Sequence, residues 1–206
     1  MSQIHWLNAI DGNFDDGSAW SGGVVPTSGD NAILNAAGPA FTVVAGYSET
    51  VNSIQTSANA TLVINSGTNF ATFNAGAGTG GGANAGTISV GSRDTFECGV
   101  TLNNSGVISL NSGAYGSSLT LSSNTTLSGG GHVILNDSAG NFITRNSQAY
   151  ILTNVDNTIS GAGNIDAVQV NQANGVIDAT GTNNPLILAQ SGVTTNAGLI
   201  EATGKA

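Results

Sequence analysis

The chain has 206 residues, of which Gly (30), Asn (25), Thr (22) and Ser (22) supply nearly half, while only 7% are charged. Three basic residues, Arg93, Arg145 and Lys205, against a net charge of −9 cannot neutralise a phosphate backbone, which excludes nucleic-acid binding. The helix formers Glu and Lys are too sparse for a helical bundle, and no apolar run reaches the ~20 residues of a membrane-spanning helix.

Low charge with regularly recurring Ile, Val and Leu argues for a packed core rather than disorder. Residues 1–35 differ from the rest: they hold both Trp residues (Trp6, Trp20) and four of the acids (Asp11, Asp15, Asp16, Asp30). They read as an N-terminal cap with the first turn. Residues 36–206 read as one repetitive unit, expected to continue into a longer protein, since the C-terminus stops just after a repeat. The start, Met1 to Trp6, has neither the basic nor the apolar region of an export signal.

From residue 36 onward the dominant pattern is period two. Leu62/Ile64, Ile88/Val90, Val100/Leu102, Ile108/Leu110, Leu119/Leu121, Val168/Val170 and Leu186/Leu188 are apolar pairs two apart, each stopped within a few residues by Gly, Asn or Ser. That is the pattern of short strands with one face inward. A longer period overlies it in Asn84-Ala-Gly-Thr-Ile88, Asn104-Ser-Gly-Val-Ile108, Asn174-Gly-Val-Ile177 and Asn196-Ala-Gly-Leu-Ile200. Ile88, Ile108, Ile134, Ile177 and Ile200 are expected as equivalent inward anchors, with Ile165 on another side of the turn. Asp166, Asp178 and Glu201, each directly after such an Ile, are expected at one repeated outward position. Three strands per turn then give turns in the low to middle twenties of residues. The predicted fold is all-β: a right-handed parallel β-helix, a three-sided β-solenoid of roughly eight turns and about 40 Å. Asn and Gly suit the corners, and Asn84, Asn104 and Asn196 are expected to stack their amides. The open first turn needs a cover, which the Trp residues can supply.

No pattern of catalytic or metal-ligating residues emerges, so no catalytic residue, metal or cofactor is assigned. Asp15 and Asp16 are adjacent, and neighbours on a strand point apart; Asp94 and Glu97 sit near Arg93 in a loop-like segment. These acids read as solvated turn residues rather than the carboxylate pair of a glycosidase. Asp11-Gly-Asn13-Phe-Asp15-Asp16-Gly17 spaces oxygens as a Ca²⁺ loop does but lacks the bidentate Glu, and so reads as an acidic turn. The Gly-rich run 76–82 lacks the Lys and hydroxyl of a phosphate loop. His5 and His132 have no spaced partner for zinc. Cys98 has no nearby His and reads as a core residue. Thr-x-Thr does not recur at the turn period, against an ice-binding face. Segment 136–150 breaks the repeat and concentrates Phe142, Arg145 and Tyr150, types that anchor interfaces and stack on sugars; it is the candidate interaction loop.

The stretch Trp20-Ser-Gly-Gly-Val-Val-Pro26-Thr-Ser-Gly29-Asp30-Asn-Ala-Ile33-Leu34 resembles the segment that opens β-helical passenger domains of bacterial autotransporters and large secreted adhesins. Asn157-Thr-Ile-Ser-Gly-Ala-Gly-Asn-Ile165 and Thr195-Asn-Ala-Gly-Leu-Ile-Glu-Ala-Thr-Gly204 resemble their degenerate repeats. The resemblance implies a right-handed β-helix, a Gram-negative source and a secreted or outer-surface location. The expected function is a non-catalytic display rod in an adhesin-like protein. Its partner is a host or neighbouring-cell surface glycan or protein, self-association is possible, and membrane contact comes only through other parts of a parent protein. A polysaccharide-cleaving β-helix and a self-assembling fibre subunit are the alternatives.

Overall fold

The computed structural model describes residues 1–76, 82–147, 149–189 and 194–205. Three parallel sheets of nine, nine and seven strands run the length of the molecule. Seven turns of chain pass through the first, second and third sheet in order, with a strand of the first and of the second sheet added at each end, giving a β-solenoid of about seven turns, close to the eight expected. Helix among the described residues is limited to two 3-10 turns, Gly17–Ala19 and Ser21–Gly23. Nine strands at a spacing of ~4.8 Å make a rod about 40 Å long.

The period-two pairs explain why stacking is stable. In the second sheet, strands Phe41–Ala45, Ala60–Ile64, Thr87–Val90 and Val107–Leu110 pair in register, so Val43, Leu62, Ile88 and Ile108 form one buried column. Ala45, Ile64, Val90 and Leu110 form a second. In the third sheet Phe73, Phe96, Leu119, Ile143 and Ile165 make the facing column, with Ile165 on this other side as its spacing implies. A single turn cannot bury these side chains; each neighbour covers the last, and each buried aliphatic contributes about 1.5–3 kcal/mol.

Several anchors stand elsewhere than expected. Val133, not Ile134, continues the column beside Ile108, and Ile134 is 41% exposed. The corner before it is as long as that of the preceding turn, Asn103 pairing with Ser128 and Val107 with His132, so Val133 takes the place of Ile108 and Ile134 falls on the opposite face. Val100 lies outside the strand Thr101–Asn104 and is exposed. In Val168–Asn171 the inward residue is Gln169, opposite buried Leu152, while Val170 is half-buried. Both polar atoms of the Gln169 side chain lack a hydrogen-bond partner. Leaving them unpaired costs about 1–3 kcal/mol, so Gln169→Leu is expected to raise the thermal midpoint by several degrees, where most core substitutions lower it. A lowered midpoint would show that Gln169 is satisfied in solution.

A second stabilising column is polar. Thr56 Oγ1 donates to Asn84 Oδ1, and Asn84 Nδ2 to Asn104 Oδ1 at 2.7 Å. Asn104 Nδ2 donates to Asn157 Oδ1 at 2.8 Å, and the Asn157 backbone N–H to Asn154 Oδ1. Asn154 Nδ2 then donates to Asn171 Oδ1 at 2.9 Å, and Asn171 Nδ2 to Asn196 Oδ1 at 2.8 Å. The expected members Asn84, Asn104 and Asn196 thus belong to one ladder, joined by three further Asn residues. Asn157 steps in where Gly129 offers no side chain, since strand Ile151–Asn154 is paired with Thr125–Ser128 two residues out of line, Asn154 facing Leu127. Amide side chains have both a donor and an acceptor, which lets the chain of bonds run on through a buried corner.

At the N-terminal end the aliphatic core meets an aromatic cluster. Trp20 and Phe14 are fully buried and Trp6 is 2% exposed. Trp20 packs edge-to-face on Trp6 (centroids 5.0 Å apart) and on Phe14 (4.9 Å), and Phe14 packs on Phe73 of the third-sheet column (5.2 Å). The indole N–H groups remain satisfied, Trp20 Nε1 donating to Phe14 O and Trp6 Nε1 to Ile10 O.

Candidate functional site

The segment 136–150 does not form a single loop. Asn141–Arg145 is a strand of the third sheet, in register with Ser117–Leu121, and divides the segment into two corners. Ile143 points inward; Phe142 points outward and is half-buried, beside Gly116. Arg145, at the strand end, reaches the following corner, where Nη1 donates to Tyr150 O at 3.4 Å. Arg145 and Tyr150 are therefore brought together, while Phe142 stands at the other end of the strand. Of the Gly-rich run 76–82 only Gly76 and Gly82 lie within the described residues.

Several of the acids are engaged with backbone N–H groups, hydroxyls or amide side chains. Asp11 accepts from the Thr42 N–H, and Asp16 from Ser18, whose hydroxyl and N–H hold the Asp16 carboxyl below its usual range. Glu97 accepts from Asn74 Nδ2 across the third sheet. Asp178 and Glu201 are register partners, the repeated outward position expected of them; Asp166 follows the third-sheet strand Gly163–Ile165 and does not share it. Asp137 is a clip between corners. Its carboxylate accepts from the Thr182 hydroxyl, the Asn183 side chain and the Thr182, Asn183 and Asn184 N–H groups, which hold it well below the carboxylate range. Among the described residues no group of three His, Cys, Asp or Glu side chains converges as a metal site.

Cys98 is 3% exposed in the column of Ala75 and Leu121. Burial pushes its thiol up to about 12, so the nucleophilic thiolate is scarce near neutrality. The native chain is expected to resist a thiol reagent at pH 8 and to react stoichiometrically once unfolded; fast native labelling would contradict the buried placement. Because the folded value is raised, the neutral thiol's contribution to stability is whole below the ordinary thiol pKa of ~8.5 and is lost as pH climbs towards about 12.

The most distinctive surface cluster lies at the corner between the second and third sheets. On four successive turns this corner carries Tyr47, Phe70, Arg93 and Tyr115. Tyr47, Phe70 and Tyr115 are 67%, 72% and 51% exposed, and among the described residues no other aromatic side chain is as exposed. The Arg93 guanidinium lies 3.2 Å from the Tyr115 ring centroid and 5.3 Å from that of Phe70, within cation–π range of both. No hydrogen bond or ion pair within the described residues occupies its N–H groups. Arg93 also has φ +82°, the only positive φ outside glycine among the described residues, a conformation that costs about 1–3 kcal/mol.

Asp94 builds this corner. It is fully buried, and its carboxylate accepts from Ser66 Oγ, the Ser66 N–H and the Ala71 N–H at 2.9 Å, pinning the 65–71 loop that carries Phe70. Ser92 Oγ donates to Tyr115 O, and Arg93 N–H donates to Gly116 O, fixing the next corner above. Sequence reasoning noted Arg93 and Asp94 but read the acid as a solvated turn residue. The four residues fall 23, 23 and 22 residues apart, which is the turn period itself; they differ in residue type, so no repeated motif marks the row.

No family model, curated protein or solved structure matches the chain.

Proposed function

We propose that this chain is a non-catalytic β-solenoid segment of a bacterial surface or secreted adhesin-like protein, a stiff rod that presents interaction groups to a host or neighbouring-cell glycan or protein. The observation that carries this reading is the segregation of aromatic residues. The N-terminal cluster and the core absorb Trp6, Phe14, Trp20, Phe73 and Phe96, while the exposed rings gather on one corner of successive turns. A rod held by continuous apolar and Asn columns keeps such a row in fixed spacing, which suits repeated weak contacts with a polymeric partner. The likeness of Trp20–Leu34 to autotransporter passengers supports the same location and role. A direct test coats beads with the purified chain and measures their attachment to polysaccharide-coated and cell-coated surfaces. Attachment that soluble chain competes away, without release of reducing ends from the polysaccharide, is the expected result. Released sugar ends would favour the enzyme alternative, and no attachment to any surface would contradict display.

A further inference from the structure

We propose that the Tyr47–Phe70–Arg93–Tyr115 corner is a binding site for an acidic glycan, with the Arg93 guanidinium pairing with a sugar carboxylate and the aromatic rings stacking on pyranose faces. The inference rests on the display reading and names its partner class.

The charge argument comes first. The chain has three basic residues and a net charge of −9, and among the described residues Arg93 is the one whose charge lies over aromatic rings. Arg93 has an acid for a neighbour, Asp94, but that carboxylate is turned into the protein and engaged by Ser66 and Ala71. The Arg93 guanidinium is instead held by its flat face against Tyr115, 3.2 Å from the centroid. Stacking uses the face of a guanidinium and leaves its N–H donors, which recognise a carboxylate in bidentate fashion, for another partner. Because the group is already ordered, less entropy is lost when the anion docks.

The ligand's second property follows from the rings. Tyr47, Phe70 and Tyr115 are exposed on turns either side of Arg93, stepping along the rod by one strand spacing, ~4.8 Å, per turn. Exposed aromatic faces suit the apolar C–H face of a sugar ring. Exposed polar residues of the corner that carries Phe70, namely Asn65, Thr68 and Asn69, suit hydroxyls. An extended polymer of sugar acids meets all three needs; a free carboxylate uses the guanidinium alone. The strain at Arg93 points the same way, since glycine would fit φ +82° at no cost and Arg is tolerated there only at a penalty.

The test uses the full chain and polygalacturonate as probe, with its methyl-esterified form as the uncharged counterpart, in affinity electrophoresis and calorimetry at two salt concentrations. Binding to the acid form, weakened by salt and lost on esterification, is expected. Arg93→Gly relieves the positive φ, so its thermal midpoint should equal or exceed that of the parent while affinity falls at least about tenfold. Phe70→Ala and Tyr115→Ala should each weaken binding with folding retained. Undiminished binding by Arg93→Gly, equal binding of acid and ester, or binding to neither probe would each overturn the proposal. If beads coated with Arg93→Gly attach to cells as well as the parent does, the glycan site fails while display stands. If neither attaches, display itself fails.

Discussion

Replacing Trp20 with Ala is expected to be the most damaging of the single substitutions considered, lowering stability by about 4 kcal/mol. The side chain is fully buried, so its removal leaves a void at the end of the core. Two edge-to-face contacts, with Trp6 and Phe14, are lost with it, and the Phe14 carbonyl loses the indole N–H at 2.7 Å. For a chain of this size the thermal midpoint should fall by about 8–16 °C. The position at the rod's end decides how the loss is expressed. Each turn of a solenoid is stabilised by its neighbours, so a weakened first turn exposes the Phe73 column beneath it and melting begins there. Fluorescence of the remaining Trp6 should therefore change at a lower temperature than the β-sheet circular dichroism. A midpoint within about 2 °C of the parent would mean that the aromatic cluster does not close the core.

Breaking the amide ladder at its middle is expected to cost about 3 kcal/mol. Asn104→Ala removes the acceptor of Asn84 Nδ2 and the donor to Asn157 Oδ1. It also removes the bond from Asn104 Nδ2 to the His132 carbonyl, so buried groups on both neighbouring turns lose a partner. The control is Asn103→Ala one residue away, on an exposed outward position, which should stay within about 0.5 kcal/mol. Urea titration of the pair gives the difference directly. Equal midpoints for the two variants would mean that water replaces the ladder and that the apolar columns alone hold the turns together.

The solenoid could be read from the sequence because its cause is local and repeated. A strand two residues long in its apolar pattern, ended by Gly or Asn, has to be short, and short strands that bury one face have to stack. Ile88, Ile108 and Ile177 accordingly stand in one column. The failures have physical reasons too. Ile134 is the apolar residue that ends its repeat unit, but the register carries Val133 to the place of Ile108, and neighbours on a strand face opposite ways. Gln169 sits where a period-two reading puts polar side chains outward, and no local signal marks it as buried. Asn157 joins the ladder from a residue just past its strand, a placement that depends on the glycine opposite.

The candidate interaction surface was only partly legible. Composition points to the scarce Arg and aromatic residues, three of which fall close together in segment 136–150. In the fold, Arg145 meets the Tyr150 carbonyl, but Phe142 lies apart on the same strand. The row at Tyr47, Phe70, Arg93 and Tyr115 is assembled instead by stacking, which brings side chains from four turns to one corner although some twenty residues separate each from the next. Asp94 is similarly invisible in sequence: only the fold shows its carboxylate turned inward to hold the loop that carries Phe70.

Location tests the display reading most directly. An antibody raised against this chain, applied to intact source cells, to cells shaved with protease, and to the culture medium, reports where the rod resides. The account predicts signal on intact cells that protease removes, or signal in the medium. Signal confined to the cytoplasmic fraction, untouched by protease until the cells are broken, would contradict it.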